Sequence, residues 1–266
     1  MRTPLIAGNW KMNMTIAEGV ALVETLKDAL QGVTGAEAAV CPPAVLLKPI
    51  ADALAGSDIA LGAQDMFWEQ KGAYTGQTSP LMLRDVGCKY VIIGHSERRG
   101  RFGAIPGNWS DELLQTFGDN DAVVNRKVHA AFANGLVPIM CCGETIGERE
   151  RGITDEVVSE QIRAGLANLS AEQVAGMVIA YEPVWAIGTG KTCDPAEGNR
   201  VIAIIRKVVG DLYGHAPYDA VRIQYGGSAT PDNIADIMAQ SDIDGALVGG
   251  AALKPNFADM VKAAAK

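Results

Sequence analysis

A glutamate, a histidine, a lysine and paired glycines each follow a short apolar run in this sequence. Glu182 comes directly after the run 177–181 and before Pro183. Proline disfavours helical angles for the residue before it, so the carboxylate is expected in extended geometry at a strand exit. Gly188 and Gly190, a few residues on, permit the backbone angles that a ligand-gripping loop needs. Together these features suit a general base beside a hinged lid. His95-Ser96-Glu97-Arg98 follows the run 90–93, and Asn9 and Lys11 follow the run 4–7. Gly226-Gly227-Ser228 and Gly249-Gly250 end two further runs. Such turns expose backbone N–H groups, and helix N-termini add positive dipole, which makes them phosphate-binding candidates. A carboxylate base, a neutral or cationic histidine, a lysine and a phosphate grip suit proton abstraction next to a carbonyl.

Other chemistries fit less well. Gly188-Thr189-Gly190-Lys191-Thr192 imitates a nucleotide-binding loop, but the pattern needs glycine five positions before Gly190, where this chain has Trp185. Gly94-His95-Ser96-Glu97-Arg98 imitates a nucleophile elbow, but Arg98 stands where the closing glycine belongs. Taken singly, Lys11 reads as a solvated lysine, His95 as a hydrogen-bonded structural histidine and the glycine pairs as plain turns. Their convergence on one end of one fold gives them weight.

The positioning elements are eight apolar runs, at 4–7, 38–41, 59–61, 90–93, 137–141, 177–181, 221–225 and 246–248. Each is followed by a helix-like segment. Thr15-x-x-Glu18 is a capping box that opens a helix running to Leu30. Ser79-Pro80, Asp194-Pro195 and Thr230-Pro231 place a capping side chain before a proline at the first helical position. Gly87 and Gly135 fall where helices should stop. A doubly wound open sheet would announce a glycine-rich fingerprint after the first strand, but the chain has Gly8-Asn9-Trp10-Lys11 there. Eight strand–helix units without linker or composition break predict an α/β fold, a single (β/α)8 barrel spanning residues 1–266. Its site should lie at the carboxyl ends of the strands.

The bulk composition agrees. A chain of 266 residues with 48% hydrophobic content can bury the core of such a barrel. A net charge of −8 without a basic block argues against a nucleic-acid surface. No apolar run approaches the roughly 18 residues of a membrane span, and residues 1–4 lack a signal-peptide stretch. The five cysteines form no Cys-x-x-Cys pair, and three histidines are scattered. Buried thiols in a reducing, cytoplasmic compartment and no metal are expected.

Gly8-Asn9-Trp10-Lys11-Met12-Asn13, Gly94-His95-Ser96-Glu97-Arg98-Arg99, the stretch 181–191, Tyr225-Gly226-Gly227-Ser228 and Leu247-Val248-Gly249-Gly250 resemble the signatures of the triosephosphate isomerase family. The resemblance covers nearly the whole chain. It implies a TIM barrel that interconverts dihydroxyacetone phosphate and D-glyceraldehyde 3-phosphate without a cofactor, as in glycolysis and gluconeogenesis. By the resemblance, Glu182 is the base, and His95 is the electrophile, kept neutral by a short helix beginning near Ser96. Lys11 and Asn9 contact substrate, and Glu97 pairs with the lysine and takes part in proton transfer. Gly188, Ser228, Gly249 and Gly250 offer backbone N–H groups to the phosphate; residues 183–185 and 191–193 are lid hinges. The resemblance further implies a homodimer in which the loop 72–76 crosses to the partner and Thr75 buttresses its Asn9 and Lys11.

The chain departs from the family chiefly after Arg99, where a Phe-Gly-Glu is usual. Here Phe102-Gly103-Ala104 and Phe117-Gly118-Asp119 both offer themselves, so either Ala104 or Asp119 takes the glutamate's place. The extra residues, about 100–116, read as a loop from Pro106-Gly107-Asn108 and a short capped helix after Trp109. They are a tolerated surface extension, or Trp109, Leu113 and Leu114 dock on a partner subunit or narrow the mouth. Asp65 and Gln77 replace the usual asparagine and glutamate, and Cys193 lies in the second hinge. With Met66-Phe67-Trp68 the insertion keeps open an isomerase of a longer sugar phosphate, such as a tetrulose phosphate. A phosphate-metabolite-binding barrel without catalysis would require damage to Lys11, His95 or Glu182, and all three are intact.

Overall fold

The computed structural model describes residues 2–105 and 107–265; Pro106, at the head of the expected loop, lies outside them. Eight parallel strands form a closed barrel in sequence order: β1 (Leu5–Asn9), β2 (Glu37–Cys41), β3 (Ala60–Ala63), β4 (Tyr90–Ile93), β5 (Val137–Cys142), β6 (Val178–Tyr181), β7 (Arg222–Tyr225) and β8 (Gly245–Val248). β1 closes the ring, with Leu5 opposite Glu37 on one side and Gly245 on the other. Both faces of each strand are buried, which explains why the strands read as continuous apolar runs. One set of alternate residues, including Leu5, Ala7, Ala39, Tyr90, Ile92, Ile139, Val178 and Ala180, fills the barrel. The intervening residues, such as Ile6, Val40, Val91, Ile179 and Ile223, pack outward against the helices. At the amino-terminal end Arg222 donates to Glu37 at 2.8 Å and to the Tyr90 hydroxyl at 3.1 Å. This polar floor leaves the opposite mouth to the site.

The capping signals place the first helix at Ile16–Leu30, with the Thr15–Glu18 box formed. Ser79 accepts from the Met82 N–H at 3.2 Å, and Asp194 from the Ala196 N–H at 2.8 Å. Thr230-Pro231 does not open a helix. Asn233 accepts the Thr230 N–H at 2.8 Å, closing a turn over these residues, and the helix begins at Ile234. The Thr230 carbonyl accepts the Asn233 and Ile234 N–H groups at 3.2 and 3.0 Å, so the turn leads directly into the helix.

The short helix expected near Ser96 is also only one turn. Arg99 N–H donates to the His95 carbonyl at 3.1 Å, and Arg101 N–H to that of Ser96 at 2.9 Å. Gly100, with φ +69°, stops the turn in the left-handed region. The chain then runs outward through Phe102 and Trp109 to a four-residue helix, Asp111–Leu114, and back to Phe117. Phe102 meets Trp109 and Phe117 edge-on at 5.5 and 5.2 Å, and Trp109 stacks on Phe117 at 5.7 Å. Trp109 packs on Phe102 and Phe117 of its own chain and stays partly exposed.

Of the two candidate residues, Asp119 is the one built into an ion pair. Its N–H donates to the Arg98 carbonyl at 3.1 Å, and Lys127 Nζ donates to its Oδ2 at 2.8 Å. Ala104 is exposed. Lys127 also reaches Asp65 at 2.6 Å, and Asp65 pairs with Arg98 at 3.1 Å. The two departures thus belong to one rebuilt ion network. Among the described residues, no helix is long and apolar enough to cross a membrane.

Candidate active site

Glu182 emerges from β6 buried, its N–H bonded to the Cys142 carbonyl at 2.7 Å. Oε2 accepts the Ser96 backbone N–H at 2.9 Å, and the Ser96 hydroxyl lies 3.4 Å from Oε1. His95 Nε2 stands 2.9 Å from Oε1. The Glu97 N–H donates to His95 Nδ1 at 3.2 Å. A nitrogen that accepts carries no proton, so the ring proton sits on Nε2, directed at the carboxylate. The single turn after β4 therefore fixes both the histidine tautomer and the resting position of the glutamate. Burial pushes the Glu182 carboxyl upward, but His95, the Ser96 N–H and the charge of Lys11 outweigh it. The group is held below the ordinary glutamate range.

Lys11 has φ +51°, an uncommon conformation for a residue with a side chain. Two side chains hold it: Asn9 accepts its N–H at 3.0 Å, and Gln64 donates to its carbonyl at 2.8 Å. Its Nζ donates to Glu97 Oε1 at 2.7 Å. Such a locally strained, doubly held backbone places the ammonium accurately.

A cavity of about 440 Å³ opens over these groups, lined by Asn9, Lys11, His95, Gly188, Ser228, Gly249 and Gly250 among others. Every binding residue read from the sequence borders this one space. Glu182 does not line it but contacts His95, which does, and Glu97 borders an adjoining cavity of about 430 Å³ with Lys11 and His95. Met66 lines that second cavity, whereas Phe67 stacks on Trp68 and Tyr74 at 4.0 and 4.5 Å. Thr75 is exposed at the tip of the same loop.

Sequence reasoning missed the support of the loop after β6. Glu144, fully buried after β5, accepts from the Trp185 indole at 2.8 Å and from the Tyr181 hydroxyl at 3.0 Å. The Arg149 guanidinium lies 4.5 Å over the Trp185 ring and 3.0 Å from Glu197. Burial raises the Glu144 carboxyl above its ordinary value despite these donors, and burial with the Glu144 charge raises Tyr181 strongly. The available signal was Gly143-Glu144-Thr145-x-x-Glu148 at a strand exit, an acid followed by a capping box. In the loop after β6 Gly188 and Gly190 adopt φ +70° and +76°.

A closed (β/α)8 barrel with this mouth defines an isomerase that moves protons on a small phosphorylated substrate. The sequence model of the family described as triosephosphate isomerase matches residues 4–264. Curated triosephosphate isomerases are similar over almost their whole length. That of Herpetosiphon aurantiacus is 55% identical over 254 residues, covering 96% of each chain. Those of Moorella thermoacetica and Carboxydothermus hydrogenoformans are 55% and 52% identical, covering 95% and 98% of this chain and 95% and 99% of their own. The chain belongs to the triosephosphate isomerase family.

Proposed function

We propose that Glu182, His95 and Lys11 carry out the isomerase reaction of this chain, the interconversion of dihydroxyacetone phosphate and D-glyceraldehyde 3-phosphate. Glu182 removes the proton from the carbon beside the carbonyl. The developing oxyanion takes a hydrogen bond from His95 Nε2–H, whose direction follows from the Glu97 N–H on Nδ1. Lys11 balances the charge of the enediolate and phosphate, and Asn9 holds the lysine backbone. Glu97, 2.7 Å from Lys11 Nζ, orients the ammonium and takes part in proton transfer. Backbone N–H groups of Gly188, Ser228, Gly249 and Gly250 grip the phosphate, and the lid over it excludes water. His95 passes the hydroxyl proton from one oxygen of the enediolate to the former carbonyl oxygen, and Glu182 returns its proton to the neighbouring carbon, completing the exchange.

The observation that carries this reading is the Glu182–His95 contact of 2.9 Å beside a cavity shared by Lys11 and the glycine turns. To reach a substrate, Glu182 must leave the Ser96 N–H, which removes a donor that favours its charge and so increases its basicity. A coupled isomerase assay on the wild type and Glu182→Gln tests the assignment. Equal activities overturn the mechanism, and inactivity of both favours a binding barrel.

A homodimer through the Thr75 loop belongs to the same reading. The cavity shared by Lys11 and Glu97 is lined by exposed Met12, an apolar margin suited to a second copy. The residues 100–116 are an insertion into a single domain, and five free buried cysteines support a cytoplasmic location.

A further inference from the structure

The lid stem is gripped from two sides, and one of them belongs to the segment that follows the His95 turn. Val184–Ala186 form one turn of 3-10 helix at the base of the lid, and Ile187 N–H donates to the Val184 carbonyl at 3.1 Å. Trp185 and its partners Glu144 and Arg149 hold the inner side. Gly103 lies against the other side. A methyl group there would sit 2.5 Å from the Val184 carbonyl oxygen, closer still to that of Ile187, and 2.9 Å from Thr189 Cγ2. Gly103 is not in the left-handed region, so the position requires glycine for space and not for angle. Its neighbours are anchored. Phe102 is held by Trp109 and Phe117, while Arg101 donates to the Gly143 carbonyl at 3.1 Å and pairs with Glu148. Glu148 precedes Arg149 on the short helix Ile146–Glu150, so the two grips share one support.

We propose that Gly103 is a positioning residue for the lid, and that the Phe102–Trp109–Phe117 stack keeps its backbone against the stem. The inserted segment then limits how far the stem swings outward and returns the lid to one starting position over the cavity. Any side chain at 103 displaces the stem, and loss of the stack releases it. The catalytic consequence rests on the isomerase reading above. A poorly seated lid lets the enediolate expel its phosphate, as the enediolate's electron pair breaks the carbon–oxygen bond and leaves inorganic phosphate and an unsaturated product.

Two measurements on wild type, Gly103→Ala and Trp109→Ala test this. Hydrogen exchange at amides 184–190 is expected to quicken on the order of tenfold in Gly103→Ala, and less in Trp109→Ala. The ratio of phosphate released to triose phosphate isomerised should rise on the order of tenfold, within the roughly 10²-fold that an ångström of misplacement can cost. Melting temperatures should stay near that of the wild type. If Gly103→Ala does not fold, Trp109→Ala decides, since it alters only the inserted stack. Unchanged exchange and an unchanged ratio in the folded variants overturn the proposal. The exchange measurement decides even for a wild type without isomerase activity, the result that would sink the reading of the active site instead.

Discussion

At the residue scale Glu182 sits between opposing effects: burial disfavours its charge, while the His95 ring, the Ser96 N–H and Lys11 favour it. The second group wins, so the resting base is ionised throughout the neutral range and its carboxyl titrates below the ordinary glutamate value of about 4.3. The pH profile of kcat/KM reports free-enzyme ionisation, so its acidic limb should lie below that value; a limb centred near pH 6 would mean that burial wins. The linkage has the matching sign. A depressed folded-state value stabilises the fold above about pH 4.3, and that contribution is lost as pH falls through the folded value. Urea unfolding of Glu182→Gln should therefore lose stability less steeply than wild type between pH 5 and 3. The same variant should lose roughly 10²–10⁴-fold in kcat, the usual contribution of a positioned base. Glu182, His95 and Lys11 were legible because each is a reactive type at a strand exit. Asp119 was not, because two identical Phe-Gly pairs precede the candidates and only folding brings one of them to Lys127 and the Arg98 carbonyl.

At the scale of elements the strands were readable since burial on both faces makes each a short apolar block, bounded within a residue or two of its pairing. Helix starts were readable where a side chain has one local N–H to cap, as at Thr15 and Ser79. At Thr230 a turn intervenes before the helix, which begins at Ile234, and after Ser96 Gly100 ends the chain's turn before a longer helix is built. The lid support was hidden for a different reason. Glu144, Arg149, Tyr181 and Trp185 belong to two strand exits and a helix, and no spacing links them. Their coupling gives a prediction for the element. Trp185→Phe keeps an aromatic ring under Arg149 but removes the indole donor to buried Glu144. A buried acceptor that loses a partner costs about 1–3 kcal/mol. Denaturant unfolding should register that loss, and the lid amides should exchange faster; a change within about 0.3 kcal/mol would assign the seating of Trp185 to ring packing alone.

At the scale of the whole molecule the barrel exposes features that a single copy leaves uncovered. Met12 is 95% exposed on the wall of the cavity that Lys11 and Glu97 share. The loop carrying Thr75 extends from the same side, stiffened by the stack of Phe67 on Trp68 and Tyr74. If a second copy places Thr75 in that cavity, the loop of one subunit completes the seat of Lys11 in the other. Thr75→Glu separates this arrangement from a self-sufficient monomer. In a lone chain the position is exposed, and an exposed substitution usually changes stability by no more than about 0.5 kcal/mol. Across a two-fold interface the new carboxylate would face Glu97 and compete for the ammonium that Glu97 holds. Sedimentation velocity should then show a shift from dimer to monomer, with a lower melting temperature that no longer rises with protein concentration. Specific activity should fall on the order of 10²-fold, as expected for a displaced charge in the site. Wild-type enzyme should likewise lose specific activity on dilution through its dissociation constant. A Thr75→Glu protein of wild-type activity, sedimenting as the wild type does, would place the completed site within one chain.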